Sequence, residues 1–332
     1  MSNQINQPTN QKAKIVTSSI PGPKCQELRQ KEDKILAPGL QGFALMAGIV
    51  VEKAQGSTVT DVDGNTFLDV IGGIGVNGLG HSHPKFIQAI QRQVEKASVG
   101  SFTSPARVEL FEKIYEHRPA PQMYKTQLYS SGAEAVESAM RLAKAYTGKW
   151  EFVSFWGGFH GKTMGALSLM GSEFKNAYGP LVAGSHIVPY ANCYRCPFKM
   201  EYSSCGLYCA EFAKKQIKMS CSSKGGPAAI ILEPMQGTAG NVIPPDDFLP
   251  AIKDIAKEFG ALLIVDEMIT GFGRTGKFWG SQHSGVTPDI MTLGKQFGGG
   301  FPISAVLSTE EITRAKPWSD PSGSSSSYGG NP

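Results

Sequence analysis

Charge is scarce in this sequence: Lys, Arg, Asp and Glu make up 18% of its 332 residues, and the formal net charge is only +4. No dense Lys/Arg run interleaves with aromatic residues, so nucleic acid is not an implied partner. Long apolar runs are lacking too. The longest, around Ala228–Leu232 and Ala261–Val265, are far too short to cross a bilayer. The opening stretch, Met1 to Lys24, is polar and rich in Asn, Gln, Ser and Pro, without the apolar centre of a secretory leader. These absences point to a soluble, cytoplasmic protein with a flexible tail over residues 1–24. No internal repeat is present. What remains, 41% hydrophobic residues in a chain of this length, is enough for one large α/β domain with smaller appendages.

The pattern along the chain places that domain. Residues 56–70 alternate apolar and polar side chains around Asp63-Gly64, which predicts a hairpin, and they lead into Gly72, Gly73, Gly75, Gly78 and Gly80. His83-Pro84 opens a helix with Phe86, Ile87, Ile90 and Val94 on one face. A second helix carries Val108, Leu110, Phe111 and Ile114. From about Gln127, short apolar runs alternate with amphipathic stretches, the rhythm of helices packed on a mainly parallel sheet. The clearest unit is a strand over Ala228–Glu233, a helix from about Asp247 to Phe259 stopped by Gly260, and a strand over Leu262–Asp266. Ligands of such sheets gather at the carboxyl ends of the strands.

Several chemically suggestive residues fall at those ends. Ser131-Gly132-Ala133 lies between a strand ending near Tyr129 and a helix. Such a small-residue turn aims backbone N–H groups at an anion, although similar turns are common in α/β proteins. Asp266 closes an apolar strand, where a carboxylate either pairs with a cationic ring nitrogen or merely caps the next turn. Phe159-His160-Gly161 follows a Gly157-Gly158 turn, and the aromatic residue either lies on a flat ligand or belongs to the core. Lys295 sits between Gly294 and Gly298-Gly299-Gly300, poorly placed as a solvated surface charge. Glycines there leave room for a ligand against the backbone. An anion turn, a carboxylate for a pyridinium, an aromatic platform and a nucleophilic lysine are the parts that a pyridoxal-phosphate site needs.

Their order matches a known family. Seven stretches carry the likeness: Gly80-His81-Ser82-His83-Pro84; Ser131-Gly132-Ala133-Glu134-Ala135-Val136-Glu137; Phe159-His160-Gly161; Glu233-Pro234-Met235-Gln236-Gly237; Asp266-Glu267 with Thr270-Gly271-Phe272-Gly273-Arg274-Thr275-Gly276; Gly294-Lys295 with Gly298-Gly299-Gly300-Phe301-Pro302; and Tyr328-Gly329-Gly330-Asn331-Pro332. Through them the chain resembles the class III aminotransferases of the fold type I pyridoxal-phosphate enzymes from about Gly56 to Pro332. The resemblance implies an N-terminal segment over 25–70 and a cofactor-binding large domain over 71–332, with a Cys-rich insertion at about 190–225. It also implies a small C-terminal domain that this chain lacks, so the sequence is expected to be a fragment of a homodimer with shared active sites.

By the same resemblance, Lys295 forms the Schiff base with pyridoxal 5'-phosphate and Asp266 pairs with its ring nitrogen. Phe159, beside His160, stacks on the ring, Ser131, Gly132 and Ala133 hold the phosphate, Glu233 supports the site from beneath, and Met268 packs on the ring. Ser327 stands where relatives usually place a Thr that reaches the phosphate across the dimer interface. The Ser/Gly-rich end, Asp320–Pro332, is then a site loop. The expected activity is transfer of an amino group from an amine or amino acid to a 2-oxo acid.

Three positions depart from the pattern. Ile269 replaces a Gln that reaches the ring hydroxyl in several members, Lys162 replaces an Arg, and Thr238 replaces a Glu. The Arg and Glu mark relatives acting on 4-aminobutyrate or ornithine, so those two substrates are disfavoured. A racemase, epimerase or ammonia-lyase of the same family would begin with the same proton removal. A catalytically silent scaffold held by cysteines is the alternative of another class. Four of the six cysteines, Cys193, Cys196, Cys205 and Cys209, have near-zinc spacing. Reduced thiols or a redox pair are preferred there, and no metal is assigned.

Overall fold

The computed structural model describes residues 12–97 and 102–332, which form two compact units meeting in sequence at Lys96 and Ala97. The sequence reading divides the chain at 24/25 and 70/71 instead. Residues 1–11 of the expected tail lie outside the described ones; within the rest of it, Lys14 pairs with Thr66 and Pro23 opens a helix.

The first unit holds α1 (Pro23–Asp33), α2 (Gly42–Ala47), a sheet of β1 (Val51–Gln55), β2 (Thr58–Asp61) and β3 (Thr66–Leu68), the single turn α3 (Gly72–Gly75), and α4 (Pro84–Val94). The expected hairpin is β2–β3, paired antiparallel with Gly64 at its tip in the left-handed region, φ 91°. Its Asp63 carboxylate accepts the N–H groups of Lys24 and Cys25, both at 2.9 Å, and so caps α1. Pro84 starts α4 at the predicted place, because a proline at the first helical position forfeits no helix hydrogen bond.

The second unit begins with α5 (Pro105–Glu116), capped by the Ser104 hydroxyl. It continues through β4 (Met123–Tyr129), α6 (Gly132–Thr147), β5 (Phe152–Phe155), α7 (Met164–Ser168), β6 (Ser185–Val188), α8 (Tyr208–Ser220), β7 (Ala229–Leu232), α9 (Phe248–Glu258), β8 (Leu262–Asp266), β9 (Ile290–Leu293), β10 (Ser304–Thr309) and α10 (Glu310–Thr313). Seven of these strands form one sheet in the order β4-β10-β9-β8-β7-β5-β6, and β10 alone runs against its neighbours. The fold is therefore the mainly parallel α/β sheet that the alternating pattern predicts. Both faces are covered, which is why the inner strands read as unbroken apolar runs. Ala229 and Ile231 pack into the cluster under α6, while Ile230 and Leu232 join Ile217, Phe248 and Ile252 of α8 and α9 on the other face. Truncating Ile252 to alanine is expected to cost about 2–5 kcal/mol in a urea titration, the usual range for a large core side chain.

The Ser/Gly-rich end packs on β4. Tyr129 Oη lies 3.0 Å from the Ser324 carbonyl and 2.6 Å from its hydroxyl, and Trp318 Nε1 donates to Ser138 Oγ at 3.0 Å. Gly329 lies so close to Leu128 that an added Cβ would sit 2.4 Å from the Leu128 carbonyl oxygen. Among the described residues, no helix is long and apolar enough to cross a membrane.

Candidate active site

One rim of the seven-stranded sheet collects the chemistry. β4 ends at Tyr129 and feeds Ser131, β5 ends before Phe159 and His160, β7 ends at Glu233's neighbour Leu232, β8 ends on Asp266, and β9 ends just before Lys295. Because these five strands share one direction, all of those residues arrive at one edge. Antiparallel β10 brings its first residue there, and Ser304 Oγ donates to the Ser131 carbonyl at 2.6 Å.

At the turn, Ser131 is the N-cap of α6: its side chain accepts from the Glu134 amide at 3.2 Å, and the Glu134 carboxylate accepts from the Ser130 amide at 2.9 Å. The amides of Gly132 and Ala133 donate to no described residue. Two free N–H groups at the positive end of a sixteen-residue helix suit a phosphate. Met268 lies across this turn. An added Cβ on Gly132 would stand 3.1 Å from the Met268 sulfur, and one on Gly294 would stand 2.4 Å from it. Both glycines thus make room for the thioether.

Asp266 is 1% exposed and its two oxygens are placed differently. Oδ2 lies 2.8 Å from His160 Nδ1, and Oδ1 accepts the Met268 amide at 3.1 Å. His160 Nε2 is buried with no partner among the described residues. Burial disfavours the charged imidazole, but the Asp266 hydrogen bond and charge outweigh it, so the His160 pKa is raised. A raised folded pKa adds stability that is complete below the unfolded value, about 6.5, and is lost as pH rises through the folded value. Unfolding free energy should therefore fall with pH above roughly 6.5 more steeply than in Asp266→Asn. Parallel slopes in urea titrations of the two proteins would remove this pair as the cause.

Glu233 holds the neighbouring loops. Its Oε1 accepts the Phe159 amide at 2.9 Å and its Oε2 the Gly237 amide at 3.2 Å, while Tyr190 Oη donates to its carbonyl at 2.9 Å. Burial pushes its carboxyl pKa up. Phe159 meets Phe174 edge to face at 5.7 Å, and Lys162 Nζ lies 4.8 Å from the Phe174 ring centre and 5.9 Å from that of Phe159. Lys295 is half-buried and adopts φ 47°, and its side chain makes no hydrogen bond or ion pair with a described residue. A side chain in the left-handed region costs roughly 1–2 kcal/mol.

Sequence reasoning names His160 without giving it a partner; the Asp266 contact supplies one, across 106 positions of sequence. It gives Glu267 no separate role, yet this fully buried carboxylate accepts the amides of Gly280 and Ser281, each at 2.8 Å, and the Thr270 hydroxyl. Glu267→Ala should cost roughly 2–4 kcal/mol, by leaving buried donors unpaired. Ser327 is exposed and makes no hydrogen bond with a described residue. The four clustered cysteines are free thiols, and no three of their sulfur atoms lie within 4.8 Å of one another.

The set of parts fits pyridoxal phosphate: free amides for the phosphate, a buried and oriented carboxylate for the ring nitrogen, and an unpaired lysine amine. Comparison with known proteins gives the same class. The class-III aminotransferase family model matches residues 43–332. The chain belongs to that family. It is 38% identical over 276 residues to a diaminobutyrate–2-oxoglutarate aminotransferase of Rhizobium meliloti, covering 81% of this chain and 59% of that protein. It is 37% identical to a leucine/methionine racemase of Thermococcus litoralis, covering 86% and 64%. The chain thus spans about three fifths of the length of these two relatives. Among solved structures, an (S)-enantioselective omega-transaminase from Thermomicrobium roseum superposes with a TM-score of 0.84 at 31% identity, over 92% of this chain and 71% of that one. A PLP-bound amine transaminase from an uncultivated Pseudomonas species gives 0.82 at 29%, over 90% and 71%. These likenesses agree with the fold type I class read from the motifs.

Proposed function

We propose that this chain forms the cofactor-binding part of an aminotransferase that moves an amino group from an amine or amino acid to a 2-oxo acid. The observation that carries the reading is the unpaired Lys295 amine, on the same sheet rim as the buried Asp266–His160 pair and the free amides of Gly132 and Ala133. Pyridoxal phosphate, when bound, supplies an electron sink that makes the substrate proton beside the nitrogen removable. The Gly132 and Ala133 amides would hold its phosphate, and Asp266, fixed by His160 and the Met268 amide, would pair with its ring nitrogen. Glu233 fixes the Phe159 backbone, and the Phe159 ring would stack on the bound cofactor. Met268 walls the site between Gly132 and Gly294. Lys295 would hold the cofactor through its Nζ, and the same amine, as a free base, would carry the proton from the substrate carbon to the cofactor.

A racemase is the second reading, favoured by the Thermococcus litoralis relative, because returning the proton to the opposite face of the same carbon uses the same parts. Incubation with a panel of amines and pyruvate separates the two. Alanine formation supports transfer; inversion without alanine, or release of free ammonia, overturns it. We extend the reading to a cytoplasmic homodimer in which Ser327 of one copy serves the phosphate of the other, on the family likeness of the Tyr328–Pro332 motif. A monomeric mass in sedimentation with the cofactor bound would contradict that part.

A further inference from the structure

Between β6 and α8 the chain runs from Pro189 to Leu207 with only one three-residue 3-10 turn, Cys193–Arg195, and no strand or α-helix. A stretch this long inside a compact unit needs something to hold it. Tyr190 and Ala191 are buried in the core, but past them apolar burial supplies little: Cys193, Tyr194, Met200 and Tyr202 are all exposed. Aromatic contacts hold its two flanks: Tyr190 meets Phe248 at 5.2 Å and Phe155 at 5.8 Å, and Phe198 meets Tyr208 at 5.0 Å and Phe212 at 5.3 Å.

Cys193, Cys196, Cys205 and Cys209 all line one cavity of about 20 Å³, beside Phe198 and Met200. That space suits a single water-sized occupant. A wall carrying four sulfurs offers poor hydrogen bonds to water and good ligation to a soft cation. We propose that these four cysteines bind one zinc ion, which staples the 189–207 stretch to the first turn of α8.

Three features argue for the metal. The spacing closes a knuckle: Asn192 Oδ1 accepts the Arg195 amide at 3.1 Å, turning the chain so that Cys193 and Cys196 reach the same cavity. Cys209 lies in the first turn of α8, and Leu207 in the left-handed region, φ 53°, redirects the chain between Cys205 and that helix. The cation would leave a tetrathiolate with net negative charge, and Arg195 and Lys199 stand within a few residues to offset it. Without an ion the thiols stand open, since no three sulfurs come within 4.8 Å; tetrahedral zinc at about 2.3 Å would draw them to about 3.8 Å apart. Metal and fold are commonly coupled in this way. On binding, the four thiol protons pass to solvent.

The other mixed cluster differs. At the opposite rim, Glu151, His186 and Cys221 have ligand atoms within 4.8 Å, but the Glu151 carboxylate is already engaged by His186 at 2.9 Å and by the Ser223 amide. It anchors a turn.

The staple also reaches the candidate site, because Tyr190, three residues before Cys193, donates to the Glu233 carbonyl. The test is elemental analysis of the full chain purified without chelators. One zinc per chain is expected, retained in Cys221→Ser and lost in the double variant Cys193→Ser/Cys196→Ser. If the double variant does not fold, alkylation of the native protein decides: Cys25 is buried, so with zinc added Cys221 alone should react, and after chelation the four clustered cysteines should react as well. Absence of stoichiometric metal together with all five cysteines other than the buried Cys25 reacting in the presence of added zinc would overturn the proposal.

Discussion

Replacing Lys295 with alanine is expected to leave a folded protein whose amino transfer is slower by at least about 100-fold, and by as much as about 10,000-fold. Stability should hardly change, because the Lys295 side chain has no hydrogen-bond or ion-pair partner to lose among the described residues. The backbone sharpens the test. At φ 47° this position would suit glycine, so Lys295→Gly is expected to be more stable than Lys295→Ala by roughly 1 kcal/mol while equally inactive. A strained lysine whose side chain makes no hydrogen bond or ion pair among the described residues is difficult to explain except by chemistry. Turnover measured as alanine formed from pyruvate, beside urea unfolding of the three proteins, checks both halves. Retained turnover in Lys295→Ala would remove the proposed nucleophile and base.

The second large effect is expected at Asp266. Asp266→Ala leaves the His160 imidazole, itself 2% exposed, without its acceptor and frees the Met268 amide. Removing one partner of a buried pair typically costs 3–5 kcal/mol, so about that loss is expected. Asp266→Asn keeps an acceptor and the shape, and should lose only about 1–2 kcal/mol. If the carboxylate faces the cofactor's ring nitrogen, Asp266→Asn should still lose on the order of 100-fold in turnover, since the charge and not the shape does that work. A variant impaired in stability alone would make Asp266 a structural partner of His160. Loss of turnover at near-native stability supports the proposed role.

Much of this was legible before the fold. The parallel sheet could be read because strands buried on both faces must be apolar at every position, as Ala229–Leu232 and Leu262–Val265 are. Helix starts were marked by Pro84 and Ser131, whose capping chemistry is local. Contacts between distant strand ends were not legible. Nothing in the sequence near His160 or Asp266 says that they touch, because their meeting depends on β5 and β8 both flanking β7 in the sheet. The service of Ser304 to the Ser131 carbonyl is hidden for the same reason: a serine at a strand start is unremarkable until β10 is paired with β4. Glu267 beside Asp266 shows how little adjacency decides. Successive side chains point to opposite sides, so one carboxylate meets the imidazole and the other pins the Gly280–Ser281 turn. The four cysteines were visible as a spacing; their shared cavity was not.

The central claim, that Lys295 is the lysine that holds pyridoxal phosphate, has a direct test. The full chain is incubated with pyridoxal phosphate, reduced with borohydride, digested and mapped by mass spectrometry. A single phosphopyridoxyl group on the peptide containing Lys295 is the expected result. A label spread over surface lysines, or concentrated on a different one, would contradict the account.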